Sequence, residues 1–131
     1  MKIDHLGIAT KDLETALSFW QSTLGLELVD TEEVASQKVR VALLALGESR
    51  VELLEPTEND STVARFLEKR GPGLHHLAVR VSDIRETLSL LKKAGARLID
   101  EEPRVGAQGC LVAFIHPATA GGVLLELVQQ Q

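Results

Sequence analysis

Short alternating apolar runs open each half of the chain, as KIDHLGIAT near the N-terminus and as GLHHLAVRV over residues 73–81. Alternation of this kind predicts β-strands, whose successive side chains point to opposite faces of a sheet. After each run, apolar residues recur at helical spacing, from Leu13 to Leu24 in the first half, and three further strand-like runs follow. The pattern therefore predicts the order β-α-β-β-β twice along the chain.

Matching start and stop signals bound the predicted helices. Asp12 and Asp83 stand where an N-cap side chain satisfies free backbone amides, and Gly25 and Gly95 suit a left-handed helix end. A shorter helix with an apolar face is expected between the halves, over residues 63–70. The remaining strand-like runs cover residues 26–34, 39–46, 50–55, 96–100, 110–116 and 122–128.

The two halves also match each other in sequence. Sliding the first half by the 71 residues that separate His5 from His76 aligns the two opening runs. A slide of 74 residues aligns the stretches VELL and LELV and brings Glu52 over Glu126. Such an internal repeat predicts two modules of the same fold. The expected single domain over residues 1–131 comprises module one at 1–56, a tether helix at 57–72 and module two at 73–131.

The alternation of strand side chains places the two adjacent histidines of the second half on opposite faces of the sheet. His75 shares a strand face with Leu77 and Val79, an apolar face that would pack against a helix. His76 shares the opposite face with the small Ala78, and His5 likewise lies beside small residues in the first half. We therefore expect His76 and His5 to be functional partners and His75 to be a packed or supporting residue.

A carboxylate that faces the interior of a sheet is costly unless it is paired or bound to a metal. Glu52 and Glu126 occupy such positions in the last strand of each half. Together with His5 and His76 they predict a site of two histidines and two carboxylates. Ligands of this type suit divalent Co, Zn, Ni, Mn or Fe.

Composition narrows the class of protein without choosing a function. Of the 131 residues, 44% are hydrophobic and 25% charged, so a core can form without disulfides, and Cys110 is the one cysteine. The net charge of −5 argues against a nucleic-acid partner, and no apolar run reaches the length of a membrane span. Lys2 and Asp4 interrupt an apolar start, so no signal peptide is expected. We therefore expect a cytoplasmic location.

Five motifs spread along the chain carry a family resemblance: DHLGIAT, VELLEP, STVARFLEKRGPGLHHLAVRV, DEEPRVGAQG and FIHPATAGGVLLEL. They resemble the vicinal oxygen chelate (glyoxalase/bleomycin resistance/dioxygenase) superfamily, and more closely its methylmalonyl-CoA epimerase family. The resemblance runs from Ile3 to Val128, and its more specific parts are the linker helix and the C-terminal motif. The resemblance implies an α+β fold in which two tandem βαβββ modules form a cup-shaped, partly open barrel around a metal site.

The resemblance implies an isomerase that inverts C2 of the small acyl-CoA substrate methylmalonyl-CoA by proton transfer, through a metal-stabilised thioester enolate. His5, Glu52, His76 and Glu126 map onto the family's metal ligands, and Glu126 onto one of its proposed bases. Cobalt is the family's usual activating ion, with zinc, nickel or manganese as alternatives, and the members are commonly homodimers. Some members carry a second glutamate base where Val41 stands here, which leaves Glu52 or a metal-bound water as the second proton carrier.

Three other functions share the scaffold. Glyoxalase I uses the same ligand set and a related enolate chemistry on a glutathione hemithioacetal, and the C-terminal motif favours the epimerase over it. A binding protein of the antibiotic-sequestering kind usually lacks the full set of four ligands. A ring-cleaving dioxygenase would use two histidines and one carboxylate, usually in a longer chain.

Overall fold

Four strands and two helices make up the first part of the chain in the computed structural model, which describes all residues 1–131. The strands are β1 (Lys2–Ala9), β2 (Leu28–Val34), β3 (Val39–Leu46) and β4 (Ser49–Pro56), and the helices are α1 (Leu13–Leu17) and α2 (Thr62–Arg70). Their order in the sheet is β2-β3-β4-β1, with β1 parallel to β4 and the other pairs antiparallel. Residues His5–His75 form one unit, here called the N-terminal unit.

The second part repeats this arrangement with β5 (Gly73–Arg80), α3 (Ile84–Lys93), β6 (Arg104–Val105), β7 (Leu111–Ile115) and β8 (Leu125–Gln129). The order is β5-β8-β7-β6, with β5 parallel to β8. Residues His76–Gln131 together with Met1–Asp4 form this C-terminal unit. The predicted α+β class and the order β-α-β-β-β of each half are therefore confirmed.

Each unit packs its helix against one face of its own sheet. In the N-terminal unit, Leu13 of α1 packs on Ala42, Leu44, Val51 and Leu53, which all lie on one sheet face. The corresponding core of the C-terminal unit contains Val81, Ile84, Leu88, Ala113, Ile115 and Leu127. The opposite face of each sheet carries His5 and Glu52, or His76 and Glu126, because strand side chains alternate. The packing of the helices thus fixes which face the polar residues occupy.

The strand that bears each glutamate is also tied to the start of the helix in the same unit. The predicted N-caps are confirmed, since the side chains of Asp12 and Asp83 accept backbone amide hydrogen bonds in the first turns of α1 and α3. In addition, Glu55 accepts a hydrogen bond of 2.8 Å from the amide of Leu13, and Gln129 accepts one of 2.8 Å from Ile84. Glu55 and Gln129 follow Glu52 and Glu126 by three residues. The two units therefore repeat this tie.

The first helix differs from its prediction in its second half. The chain is α-helical over Leu13–Leu17 and continues as a π-helix over Ser18–Thr23. The wider turn is closed by the amide of Leu24, which donates to the carbonyl of Phe19 at 2.7 Å. Gly25 then takes φ = +90°, the left-handed conformation predicted for it.

The strand predicted over residues 96–100 is wrong, because only Leu98 forms an isolated bridge there, to Ile115. Asp100 explains the loss of the ladder. Its side chain accepts the amide hydrogen of Phe114 at 2.8 Å, and the amides of Ile99 and Asp100 both donate to the carbonyl of Phe114. The partner of β7 at this edge is instead the two-residue strand β6.

No helix of the structure combines the length and the apolar character needed to cross a membrane.

An ion pair between a buried aspartate and a partly exposed arginine in the C-terminal unit provides a test of the fold. Arg80 donates from Nε and Nη2 to Oδ1 of Asp4, at 3.1 and 2.9 Å, and Asp4 is only 1% exposed. Removing one partner of a buried pair leaves a charge poorly compensated. We expect Arg80→Met to lower the free energy of unfolding by about 3 kcal/mol, measured by urea denaturation.

Arg85, exposed on α3, is the matched control, and Arg85→Met should change the free energy of unfolding by less than about 0.5 kcal/mol. Equal urea midpoints for the two variants would show that the pair with Asp4 does not stabilise the fold.

Candidate metal centre

Two of the four predicted site residues, His5 and Glu52, lie together in the N-terminal unit. Gly7 of β1 lies opposite Glu52 of β4 in the parallel ladder, and His5 precedes Gly7 by two residues, so its side chain shares the same face. His5 Nδ1 lies 3.1 Å from Glu52 Oε2, and the two residues are only 4% and 5% exposed. Arg50 Nη2 lies 3.9 Å from the same carboxylate oxygen.

The second pair, His76 and Glu126, repeats this construction in the C-terminal unit. Ala78 of β5 lies opposite Glu126 of β8, and His76 precedes Ala78 by two residues. The distance from His76 Nε2 to Glu126 Oε1 is 2.9 Å, with exposures of 6% and 5%. The ring of Phe114 meets that of His76 edge to face, with the centroids 5.6 Å apart.

The donor chemistry of both pairs suits a divalent cation. At 2.9 and 3.1 Å each histidine nitrogen is at hydrogen-bonding distance from a carboxylate oxygen. Metal ligation uses the deprotonated forms of these same groups, a neutral imidazole and a carboxylate, and releases protons. Each pair therefore offers one nitrogen and one oxygen ligand that are already oriented and shielded from water.

Other residues singled out in the sequence lie nearby in the same units. His75 packs edge to face on Phe66 of α2 at 5.0 Å, which agrees with the packing role expected for it. Val41 is buried on β3, two residues from Leu43, the register partner of Glu52. Val41 therefore shares the sheet face of Glu52, but its side chain has no group that can carry a proton.

Sequence reasoning missed the contacts of Arg50 and Phe114 with the two pairs. Arg50 precedes Glu52 by two residues, so its position on the same strand face was a usable signal. Phe114 is the register partner of Glu126, and only the pairing of β7 with β8 reveals that position. The guanidinium of Arg104 lies 5.9 Å from the centre of the Phe114 ring.

Exposed ion pairs account for the pKa shifts elsewhere on the chain. Lys38 Nζ lies 2.6 Å from Asp60 Oδ2, and this hydrogen bond raises the pKa of Lys38 and lowers the pKa of Asp60. A hydrogen bond of 2.8 Å between Lys92 and Glu101 likewise raises the pKa of Lys92 and lowers the pKa of Glu101. Such exposed pairs add little to stability, and none of the four is a predicted site residue.

Comparison with known proteins identifies the family of this chain. Residues 4–114 match the family model described as the Glyoxalase/Bleomycin resistance protein/Dioxygenase superfamily. The ethylmalonyl-CoA/methylmalonyl-CoA epimerase of Cereibacter sphaeroides is 38% identical, over 98% of this chain and 97% of that protein. A probable lactoylglutathione lyase of Vibrio parahaemolyticus is more distant, at 27% identity over 99% of this chain and 91% of its own length.

Solved structures give the same result. The crystal structure of methylmalonyl-CoA epimerase from Mycobacterium tuberculosis is 42% identical, with a TM-score of 0.95 over 99% of this chain and 88% of that one. A Streptomyces coelicolor methylmalonyl-CoA epimerase in complex with 2-nitronate-propionyl-CoA is 39% identical, with a TM-score of 0.96 over 99% and 94% of the two chains. The chain therefore belongs to the Glyoxalase/Bleomycin resistance protein/Dioxygenase superfamily and, within it, to the methylmalonyl-CoA epimerase family.

Proposed function

We propose that this protein is an isomerase that interconverts (2R)- and (2S)-methylmalonyl-CoA by moving the proton on C2. The observation that carries the proposal is the buried His–Glu pair, present twice in a chain whose relatives are methylmalonyl-CoA epimerases. An acyl-CoA is therefore the substrate class. Epimerases at 38–42% identity outweigh the lyase at 27%, so a glyoxalase I activity is the weaker candidate.

We infer that His5, Glu52, His76 and Glu126 together hold one divalent metal ion. The support is chemical: each unit presents one imidazole and one carboxylate, buried and already paired, at positions related by the internal repeat. This set of ligands suits cobalt, which the family resemblance favours, and also zinc, nickel and manganese. When bound, the ion would supply Lewis-acid stabilisation of the charge that develops on the thioester oxygen.

Proton transfer at C2 falls to the carboxylates. Glu126 is our assignment for the base on one face of C2, since its carboxylate is buried and oriented by His76 at 2.9 Å. A positioned base contributes about 10²–10⁴-fold to the rate. For the other face of C2 the sequence predicts Glu52, which would then act as both ligand and base. Phe114 shields His76 on one side and keeps its ring in one orientation.

Cobalt as the native metal, a homodimeric state and a cytoplasmic location stay predictions of the sequence and its family resemblance.

Cobalt-loaded protein should convert either pure epimer of methylmalonyl-CoA into the other in D₂O and introduce deuterium at C2. The expectation follows because proton removal exposes C2 to exchange with solvent before it is reprotonated. Glu126→Gln should lower the epimerisation rate by about 10²–10⁴-fold. Mass spectrometry reports the deuterium, and chromatographic separation of the two intact CoA thioesters, which are diastereomers because CoA is itself chiral, reports the epimers.

Turnover of the methylglyoxal–glutathione hemithioacetal by the same preparation is the comparison assay. If that substrate reacted while methylmalonyl-CoA showed neither exchange nor epimerisation, the activity would be that of a glyoxalase and the proposal would be wrong.

Loss of a ligand should show in metal binding independently of activity. His76→Ala and Glu126→Ala should each weaken cobalt binding by at least about 100-fold, more than the loss of a residue that only supports a ligand usually costs. Titration calorimetry gives the affinity, and elemental analysis after dialysis gives the metal retained per chain.

His75→Ala is the matched control, because His75 neighbours His76 on β5 and packs instead on Phe66. It should keep most of the metal. Retention by His76→Ala together with loss by His75→Ala would reverse our assignment of strand faces.

A further inference from the structure

The proposed reaction leaves one proton carrier weakly assigned. Inversion at C2 needs a group on each face of the carbon, and Val41 stands where some family members carry a glutamate. Like Glu126, Glu52 is a proposed ligand paired with a histidine, with Oε2 3.1 Å from His5 Nδ1, but Arg50 Nη2 also lies 3.9 Å from that oxygen. A carboxylate that shares the face of Glu52 in the N-terminal unit, without being one of the four proposed ligands, would fill the gap.

Glu32 on β2 occupies such a position. Its register partner on the neighbouring strand β3 is Val41. Val41 lies on the same strand face as Leu43, which is the register partner of Glu52 on β4. Directly opposed residues of an antiparallel pair have Cβ atoms about 4.5–5.5 Å apart and lie on the same face. Glu32 therefore stands one strand beyond the position of the missing glutamate, and a long side chain can span that distance.

The burial of β2 agrees with this orientation. Glu32 is half-buried, whereas Thr31 and Glu33 on either side of it are exposed. The side chains of Val34 and Val41 on its own face are both buried. Glu33 points to the opposite face, where its register partner is the exposed Arg40. Asp30 and Glu32 both lie on the face of Glu52, but Asp30 is exposed and its Oδ1 accepts a hydrogen bond of 2.9 Å from the amide of Thr31. Glu32 is therefore the half-buried carboxylate of β2 on that face.

We propose that Glu32 is the proton carrier for the second face of C2, which leaves Glu52 to bind the metal. This inference rests on the proposed epimerase function. In one direction, the C2–H bond breaks, the proton passes to a Glu32 carboxylate oxygen, and the electron pair enters the thioester as an enolate. Protonated Glu126 then delivers its proton to the opposite face, and solvent restores the charge of both glutamates. The reverse direction exchanges the two roles.

The test is to separate exchange from epimerisation in D₂O. In cobalt-loaded Glu32→Gln, the epimerisation rate should fall by at least about 100-fold. Deuterium should still enter one of the two epimers with retention of configuration, because Glu126 can remove a proton and return a deuteron on its own face. Cobalt affinity and melting temperature should equal those of the unaltered protein, since Glu32 is not a ligand in this scheme.

Three further variants sharpen the outcome. Glu33→Gln, on the opposite face, should keep the original ratio of exchange to epimerisation. Adding Val41→Glu to Glu32→Gln should restore epimerisation at least tenfold by returning a carboxylate to the same face. Glu52→Gln should weaken cobalt binding and keep the ratio of exchange to epimerisation at saturating metal.

Epimerisation by Glu32→Gln at the original rate would overturn the inference, as would equal loss of exchange from both epimers. A changed ratio in Glu52→Gln alone would return the second carrier to Glu52. If the unaltered protein neither exchanged nor epimerised the substrate, the proposed function would fail first, and this inference with it.

Discussion

The cost of burying a carboxylate is the constraint around which both halves of this protein are built. Glu52 and Glu126 are each 5% exposed, and an unpaired carboxylate at that depth would lower the stability of the fold by several kcal/mol. A histidine on the neighbouring parallel strand offsets the cost in each unit, at 3.1 and 2.9 Å. The apolar core lies on the helix-facing side of each sheet, so the opposite face does not need apolar side chains and can carry the polar His–Glu pair.

The sequence could predict this arrangement because the repeat supplies what a single copy lacks. One histidine in a strand is ambiguous, but His5 and His76 at equivalent places, with glutamates at equivalent places, share one explanation. The register bears out the equivalence, since Gly7 faces Glu52 and Ala78 faces Glu126. Because successive side chains of a strand point to opposite faces, the sequence alone also assigns His75 and His76 to different faces.

Departures from the predicted elements arose where the hydrogen bonding differs from the pattern that the spacing of apolar residues predicts. Alternation over residues 96–100 is typical of a strand, yet Asp100 takes the amide of Phe114 and ends the ladder there. In the same way, helical spacing up to Leu24 does not distinguish an α-helical turn from the wider turn closed on Phe19. The contacts of Phe114 and Arg50 depend on pairing between strands, which local periodicity does not specify.

The repeat is close in the ligand strands and breaks down at the sheet edges. Glu32 faces Val41 on the edge strand of one unit, and Arg104 faces Val112 at the corresponding edge of the other. Equivalent positions therefore carry opposite charges. Such asymmetry suits a substrate whose reacting carbon bears a carboxylate on one side and a thioester on the other, because a site with full twofold symmetry would not distinguish them. The duplicated His–Glu pairs thus support the metal site proposed above, and the opposite charges of Glu32 and Arg104 would let the two edges bind different groups of that substrate.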